Sequence, residues 1–223
     1  LYARFTGWDR DGGFDDLVNV RADFDFPLPY GPADADLAPL MCGRVIGYRS
    51  LKVAGIHPGG RLGLFGFGSS ASLAIQVAVH WDCEVFVFTR SGVDQRRALD
   101  LGATWSGGYE EDPRSSLDAA VTFAPVGSVV VAAIQRVDRG GTVAINAIHL
   151  DEVPAFDYEA LWLERQIRSV ANFTRDDAIE FLQLAAEIPI RTVVDSYPLP
   201  EANRALAGLE RGSGPGTAVL VTT

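Results

Sequence analysis

The chain has 223 residues, of which 48% are hydrophobic, a composition typical of a folded globular protein with a substantial core. Its formal net charge is -10 and it contains no run of Lys or Arg, which argues against nucleic acid and against an anionic membrane as partners. No segment approaches the roughly 18 continuous apolar residues of a membrane span, and the first residues do not resemble a signal peptide. The two cysteines, Cys42 and Cys83, do not suggest a disulfide framework, so we expect a cytoplasmic protein.

The first 41 residues are rich in Gly, Asp and Pro and contain two short strand-like runs, at 17–20 and 24–26. They hold too few apolar residues to form a core alone, and they are typical of the end of a β-rich domain. The chain begins with Leu1 and has no initiator Met, which suggests a fragment; a complete protein that has lost part of its machinery is the alternative.

From about residue 44 to 172 the sequence alternates between strand and helix patterns. Strands are predicted near 62–66, 84–89, 118–123, 141–147 and 167–171, and helices near 69–80, 93–101, 127–137 and 158–164. This alternation predicts an α/β fold with a doubly wound parallel sheet that is covered on both faces. The remaining residues add helical patterns at 176–187 and 200–210, each followed by a β-rich run, at 191–194 and 218–221.

A glycine-rich turn stands between the first predicted strand and the helix that follows it. It reads Gly66, Phe67, Gly68, Ser69, Ser70 and Ala71, the G-x-G-x-x-A layout of a dinucleotide-binding turn. Gly66 permits a tight turn, Gly68 lets the backbone approach a pyrophosphate, and the small Ala71 lets the helix pack closely on the strand. Because the free amides and the dipole of the helix favour phosphates, we interpret 66–71 as a cofactor-binding turn. The alternative is an ordinary structural turn.

The end of the second predicted strand bears on which dinucleotide is bound. NAD-specific folds place Asp or Glu there, where it accepts hydrogen bonds from both ribose hydroxyls. This chain has Thr89, Arg90 and Ser91 instead. Arg90 can pair with a 2′-phosphate, and the two hydroxyls can donate hydrogen bonds to it. The sequence therefore predicts a preference for NADP(H) over NAD(H), with a surface arginine and loose selectivity as the alternative.

Six short motifs occur in order along the chain. They are APLMC at 38–42, GY at 47–48, PG at 58–59, the glycine turn at 66–71, LGA at 101–103 and GGTV at 140–143. Together they resemble the medium-chain dehydrogenase/reductase superfamily and, within it, the zinc-dependent alcohol dehydrogenases. The resemblance implies hydride transfer between NADP(H) and an alcohol, aldehyde or ketone, with the oxygen polarised by a catalytic zinc.

The resemblance also implies a domain organisation. In that family a β-rich GroES-like catalytic domain surrounds a Rossmann dinucleotide-binding domain in sequence. It thus assigns residues 1–42 and 173–223 to the catalytic domain and residues 43–172 to the Rossmann domain. Family members are often dimers or tetramers through the Rossmann sheet edge, so a homodimer or homotetramer is expected, and residues 144–150 could serve as its contact.

Two further loops follow predicted strands at the carboxyl edge of the sheet, where the cofactor crevice of such folds lies. Their residues are Ala124, Pro125 and Val126 in the first loop and Ala147 and Ile148 in the second. The resemblance implies that these backbones lie along the nicotinamide and its ribose, and ordinary strand-end packing is the alternative. The adjacent His149 has no identified partner, so we assign it no role, and no catalytic residue is predicted.

One zinc ligand is implied by the resemblance. Cys42 falls where the family has its last catalytic ligand, and three protein ligands with one open position are needed. The other ligands, and the four-cysteine lobe of a structural zinc, would lie before Leu1. The family usually has Thr four positions after the ligand and small residues between, whereas this chain has Ile46 and Arg44. Arg44 could pair with the cofactor or form a structural ion pair.

Three functions stay open on these grounds. The first is the cofactor-binding part of a zinc-dependent, NADP(H)-preferring alcohol dehydrogenase that acts on a small-molecule alcohol or carbonyl compound. The second is a zinc-free quinone or enoyl reductase of the same superfamily, against which Cys42 argues. The third is a non-catalytic module that binds NADP(H) without turnover.

Overall fold

A computed structural model describes residues 5–28, 34–40, 43–188, 190–211 and 216–222. Its larger sheet contains the strands β1 (Arg61–Phe65), β2 (Glu84–Phe88), β3 (Trp105–Gly107), β4 (Leu117–Thr122), β5 (Val137–Ile145) and β6 (Gln166–Ser169). All five pairings are parallel, and the strand order is β3-β2-β1-β4-β5-β6. This is the order of a Rossmann fold, so the predicted α/β class and doubly wound parallel sheet are confirmed.

Helices cover both faces of this sheet. The α-helices of the described residues are α1 (Asp34–Leu37), α2 (Gly43–Ala54), α3 (Ser69–His80), α4 (Gly92–Asp100), α5 (Gly127–Ile134), α6 (Arg175–Glu187) and α7 (Ala202–Glu210). Buried residues of α2, α3, α4 and α6 share one core cluster, and those of α5 belong to the cluster on the opposite face. A second, two-stranded parallel sheet pairs β7 (Val194–Pro198) with β8 (Thr217–Val221).

The central strands are apolar on both faces because both faces are buried. In β2, Val85 and Val87 belong to the cluster under α3, whereas Phe86 and Phe88 belong to the cluster under α5. The ring of Phe88 stacks on that of Phe65 in β1, with ring centroids 4.2 Å apart. Burying each such ring contributes about 2 to 3 kcal/mol, so this stack holds β1 and β2 in the positions from which the glycine turn starts.

A cluster of charged residues ties α6 to α2. Nζ of Lys52 lies 3.1 Å from Oδ1 of Asp177 and 2.6 Å from Oε2 of Glu180, and the hydroxyl of Tyr48 donates to the same Glu180 oxygen. Asp177 is fully buried and also forms a capping box with Thr174 at the start of α6. Long-range pairs of this kind join the residues after the Rossmann sheet to the helix that precedes it.

Two predictions of secondary structure are wrong. The predicted helix at 158–164 is a single 3-10 turn, Tyr158–Ala160, and the left-handed φ angles of Leu163 and Glu164 end any helical path beyond it. The strand-like runs at 17–20 and 24–26 form no strand in the described residues. Most of their apolar side chains are exposed, with Leu17 at 87%, and Phe26 is partly buried; a strand also needs a neighbour with which to pair.

Short strand β3 was not predicted, whereas α3 has the bounds that its pattern predicts. Among the described residues, no helix is both long enough and apolar enough to cross a membrane.

Candidate functional site

The segments predicted to bind a cofactor meet at the carboxyl edge of the larger sheet. The amide of Gly66 donates to the carbonyl of Phe88 over 2.8 Å, and the amide of Ala124 donates to the carbonyl of Phe65 over 3.2 Å. The amide of Asn146 donates to the carbonyl of Thr122 over 2.9 Å. These bonds join the ends of β1, β2, β4 and β5, so the structure brings the glycine turn and the three predicted loops together along one edge.

Gly66 is required by the geometry of the turn. Its φ is +89°, a left-handed conformation that side chains other than glycine rarely adopt. A Cβ atom at this position would lie 2.8 Å from the backbone nitrogen of Ala124. The turn and the loop after β4 therefore pack backbone against backbone, an approach that a larger residue would prevent.

Gly68 differs from Gly66, because its backbone is extended and nothing lies within 4 Å of the position of a Cβ atom. It precedes α3 as the N-cap residue and supplies no side-chain hydrogen bond. The first turn of α3 has no acidic residue either, so its free amides and positive dipole end carry no neutralising side chain of that turn. The region can accept an anionic group such as a phosphate.

A guanidinium group adds positive charge beside this first turn. Nη2 of Arg97 in α4 donates to the hydroxyl of Ser72 over 3.0 Å, and that hydroxyl donates to the carbonyl of Ser69 over 2.8 Å. Ser72 is buried, so this hydrogen bond holds the Arg97 guanidinium beside the first turn of α3. The sequence argument missed this residue, although Arg96 and Arg97 stand about one helical turn after Gly92, where α4 begins.

The end of β2 presents the exposed guanidinium of Arg90. Thr89 is only 5% exposed, and its backbone is held by Gly107 on one side and by the side chain of Gln95 on the other. Oγ of Ser91 accepts the amide of Asp94 over 3.2 Å and so caps α4. Arg90 is exposed. Of these three residues predicted to contact a 2′-phosphate, Arg90 therefore has the side chain best able to reach it.

A second arginine lies beside the same loop. Nη1 of Arg96 would be 3.8 Å from a Cβ atom at Gly92, so this exposed side chain reaches back over the first residue of α4. The charge of Arg90 is thus joined by that of Arg96 at the β2–α4 loop. The position of Arg96, one helical turn after the first residue of α4, was the sequence signal that could have identified it.

The loops after β4 and β5 are placed at the crevice but offer mainly backbone groups. Val126 is the N-cap residue of α5 and gives no side-chain hydrogen bond. Ala147 and Ile148 follow β5 in irregular backbone, and the side chain of Ile148 is 93% exposed. His149 is exposed as well.

The predicted metal ligand Cys42 lies outside the described residues. Within the described part of the chain, no three His, Cys, Asp or Glu side chains lie together in a way that could hold a metal ion. Cys83 is buried, its Sγ lies 3.5 Å from the carbonyl oxygen of His57, and burial raises the pKa of its thiol. The described residues thus do not fit a zinc site, and we derive no chemical step through zinc.

Arg44 is an unusual residue near this edge. It lies in the first turn of α2, is only 3% exposed, and forms no hydrogen bond through Nε or Nη2. Burial lowers the pKa of Arg44 to about 10, against a raising effect of Asp36, so the group is still charged at neutral pH. Of the two roles considered from the sequence, the structural ion pair has no partner among the described residues. The contact with the cofactor stays a prediction.

Comparison with known proteins gives matches over nearly the whole chain. It is 46% identical over 220 residues to "Probable alcohol dehydrogenase AdhA" of Mycobacterium tuberculosis, covering 98% of this chain and 64% of that protein. It is 28% identical over 222 residues to an alcohol dehydrogenase of Geobacillus stearothermophilus, covering 96% of this chain and 66% of the relative. No protein-family model matches the sequence. The chain spans about two thirds of the length of these curated relatives.

A solved structure gives the same picture of the fold. The alcohol dehydrogenase of the hyperthermophilic archaeon Aeropyrum pernix superposes with a TM-score of 0.83 at 23% identity. The superposition covers 98% of this chain and 67% of the archaeal one.

Proposed function

Since this chain belongs to the alcohol dehydrogenases of the medium-chain dehydrogenase/reductase superfamily, we propose that its Rossmann sheet binds NADP(H) for hydride transfer between an alcohol and an aldehyde or ketone. When bound, the nicotinamide supplies the group that accepts or donates the hydride. The substrate would be a small molecule. The observation that carries this proposal is the first turn of α3, which has no side-chain cap and no acidic residue and follows the open space at Gly68.

We propose that this turn holds the pyrophosphate. The amides of Ser69, Ser70 and Ala71 have no partner within the helix, so they can donate to phosphate oxygens. Arg97, hydrogen-bonded to Ser72 in the same turn, adds a positive charge that favours the anion. The loops at 124–126 and 147–148 would then contact the nicotinamide end through their backbone groups.

The preference for NADP(H) rests on the β2–α4 loop. No carboxylate occurs at 88–91 to bind two ribose hydroxyls, and Arg90 is exposed and available to pair with a 2′-phosphate. Arg96 lies close enough to the same loop to share in that pairing. Ser91 keeps a hydroxyl proton that it can donate, because its oxygen is used only as an acceptor from Asp94.

Titration calorimetry of the chain with NADPH and with NADH tests this preference. The wild-type chain should bind NADPH more tightly, and R90A should lose roughly ten-fold or more in NADPH affinity, the equivalent of one charge-assisted hydrogen bond. NADH affinity should be unchanged in R90A. The matched control is R139A, an exposed arginine in β5 at the opposite end of the strands, which should behave as wild type. Tighter binding of NADH by the wild-type chain would overturn the NADP(H) preference.

A second candidate is a non-catalytic NADP(H)-binding module, the alternative that the sequence leaves open. Cys42 is kept as a proposed zinc ligand on family resemblance alone. Metal analysis and an NADPH-dependent aldehyde reduction assay on this polypeptide separate the two functions. Bound zinc that is lost in C42S, together with turnover, supports the enzyme. NADPH binding with neither zinc nor turnover supports the module.

We propose a homodimer or homotetramer, as the resemblance implies. Strand β6 ends the larger sheet, and most of its residues are exposed, so this edge could pair with a second copy. A cytoplasmic location is likewise a proposal, consistent with the absence of a disulfide framework in the sequence.

A further inference from the structure

Arg44 carries a charge that nothing in the described structure neutralises directly. The side chain is 3% exposed, and no carboxylate lies within 4.0 Å of its guanidinium nitrogens in the described part of the chain. By comparison, Nη2 of Arg61 lies 2.7 Å from Oδ1 of Asp118. A buried guanidinium without a partner is costly, so its acceptor is a group that must come from elsewhere.

The two buried nitrogens of Arg44 that lack a hydrogen bond are Nε and Nη2. These are the donors of a single edge of the guanidinium, and their N–H bonds point the same way as a fork. Such a fork matches the two oxygens of one carboxylate or phosphate group in a bidentate pair. The missing partner therefore has the chemistry of an oxyanion, because a single carbonyl oxygen would satisfy the fork only in part.

The local field favours an anion as well. Arg44 stands in the first turn of a twelve-residue helix, where the dipole is positive, and that turn has no acidic residue. Asp36 is near enough to attract the guanidinium, but it forms no salt bridge with it. A cation at the positive end of a helix is unfavourable unless an anion joins it.

We propose that Arg44 forms an oxyanion-binding site at the start of α2, distinct from the pyrophosphate site at the start of α3. The two sites are neighbours, since a Cβ atom at Gly43 would lie 3.5 Å from the hydroxyl oxygen of Ser70. The oxyanion is a carboxylate of a substrate or a phosphate, and the fork accommodates either. This inference does not rest on dinucleotide binding.

Anion titration of the chain by NMR tests the site, with the Nε–H signal of Arg44 as the readout. Sodium formate and sodium phosphate are titrated against sodium chloride at equal ionic strength. We expect a saturable shift of that signal, identified by its loss in R44M, with formate, phosphate or both, and none with chloride. A second titration in the presence of NADPH tests whether the site is distinct. Unchanged anion binding supports a separate site, and loss of anion binding would assign Arg44 to a cofactor phosphate and overturn the distinction.

Thermal unfolding gives an independent readout. The same anions should raise the unfolding temperature of wild type and of R139M, which removes an exposed arginine, and should raise that of R44M less, because R44M keeps only the phosphate site at α3. If R44M does not fold, R44K takes its place, because it keeps the charge but lacks the fork and should bind the anion at least about ten-fold more weakly. Equal responses of wild type and the Arg44 variant, or no anion-specific response of wild type, would overturn the proposal.

Discussion

Two glycines of the same turn have different physical roles. Gly66 is needed for folding, because its φ is +89° and a side chain would meet the backbone of Ala124. Gly68 has an extended backbone and open space above it, so the folded chain alone does not require a glycine there. The requirement at Gly68 comes from the phosphate that we propose to bind.

Substituting each glycine by alanine separates these roles. G66A should lower the free energy of unfolding by about 2 kcal/mol or more, because it forces alanine into a left-handed conformation. G68A should change the free energy of unfolding by less than about 0.5 kcal/mol, as expected for an unstrained exposed site. G68A should nevertheless weaken NADPH binding, since its methyl group occupies the space that the pyrophosphate needs. Urea unfolding and NADPH titration measure both effects, and strong NADPH binding by G68A would contradict the assignment of the turn.

The sequence could predict the roles of Gly66 and Gly68 in the turn, since the G-x-G-x-x-A spacing is specific to that geometry. It could not predict that Arg44 is buried with one free edge. That fact depends on how α1, α2 and the later segments pack, which is set by contacts between residues distant in sequence. The same holds for Arg97, whose role follows from its hydrogen bond to Ser72 in a different helix.

At the scale of elements, the contact between α2 and α6 should make stability depend on pH. Burial of Asp177 raises the pKa of its carboxyl, but hydrogen bonds from Thr174 and Lys52 and the charge of Arg49 outweigh this effect and lower the pKa below its ordinary value of 3.8. A carboxyl whose pKa is lowered by folding stabilises the protein above its unfolded pKa, and this stability is lost as the pH falls through the folded value.

D177N should therefore be less stable than wild type at pH 7, by about 2 kcal/mol, because it removes a buried partner of Lys52. The difference should shrink as the pH falls below 3.8, where the wild-type carboxylate also becomes protonated. Chemical unfolding at a series of pH values measures it. D176N is the matched control, since Asp176 is exposed in the same first turn. A stability difference between wild type and D177N that is constant from pH 7 to below 3.8 would contradict this account.

The secondary structure was predictable where the periodic pattern of apolar residues is long and continuous. Helix α3 has twelve residues with a clear helical pattern, and its predicted bounds were correct. The pattern at 158–164 failed because Leu163 and Glu164 take left-handed backbone angles, which apolar spacing does not reveal. Strand β3 has three residues, too few for an alternating pattern to be recognised.

At the scale of the whole molecule, the Rossmann strand order fits the similarity of the chain to alcohol dehydrogenases. The catalytic chemistry depends on more than the described residues. The Rossmann sheet gathers the glycine turn, the β2–α4 loop and the loops after β4 and β5 at one edge through backbone hydrogen bonds. That arrangement suits a dinucleotide. The proposed catalytic ligand Cys42 lies outside the described residues, and the chain spans only about two thirds of its curated relatives' length, so hydride transfer is a proposal for the whole protein.

Backbone amide NMR of the chain during titration with NADPH tests the central claim most directly, because it locates the bound dinucleotide residue by residue. The account predicts saturable shifts of the amides of Ser69, Ser70 and Ala71, with further shifts at Arg90 and at the loops 124–126 and 147–148. Amides at the opposite end of the strands, such as that of Arg139 in β5, should change least. Saturable binding that leaves the amides of 69–71 unmoved, or no binding of NADPH at all, would contradict the account.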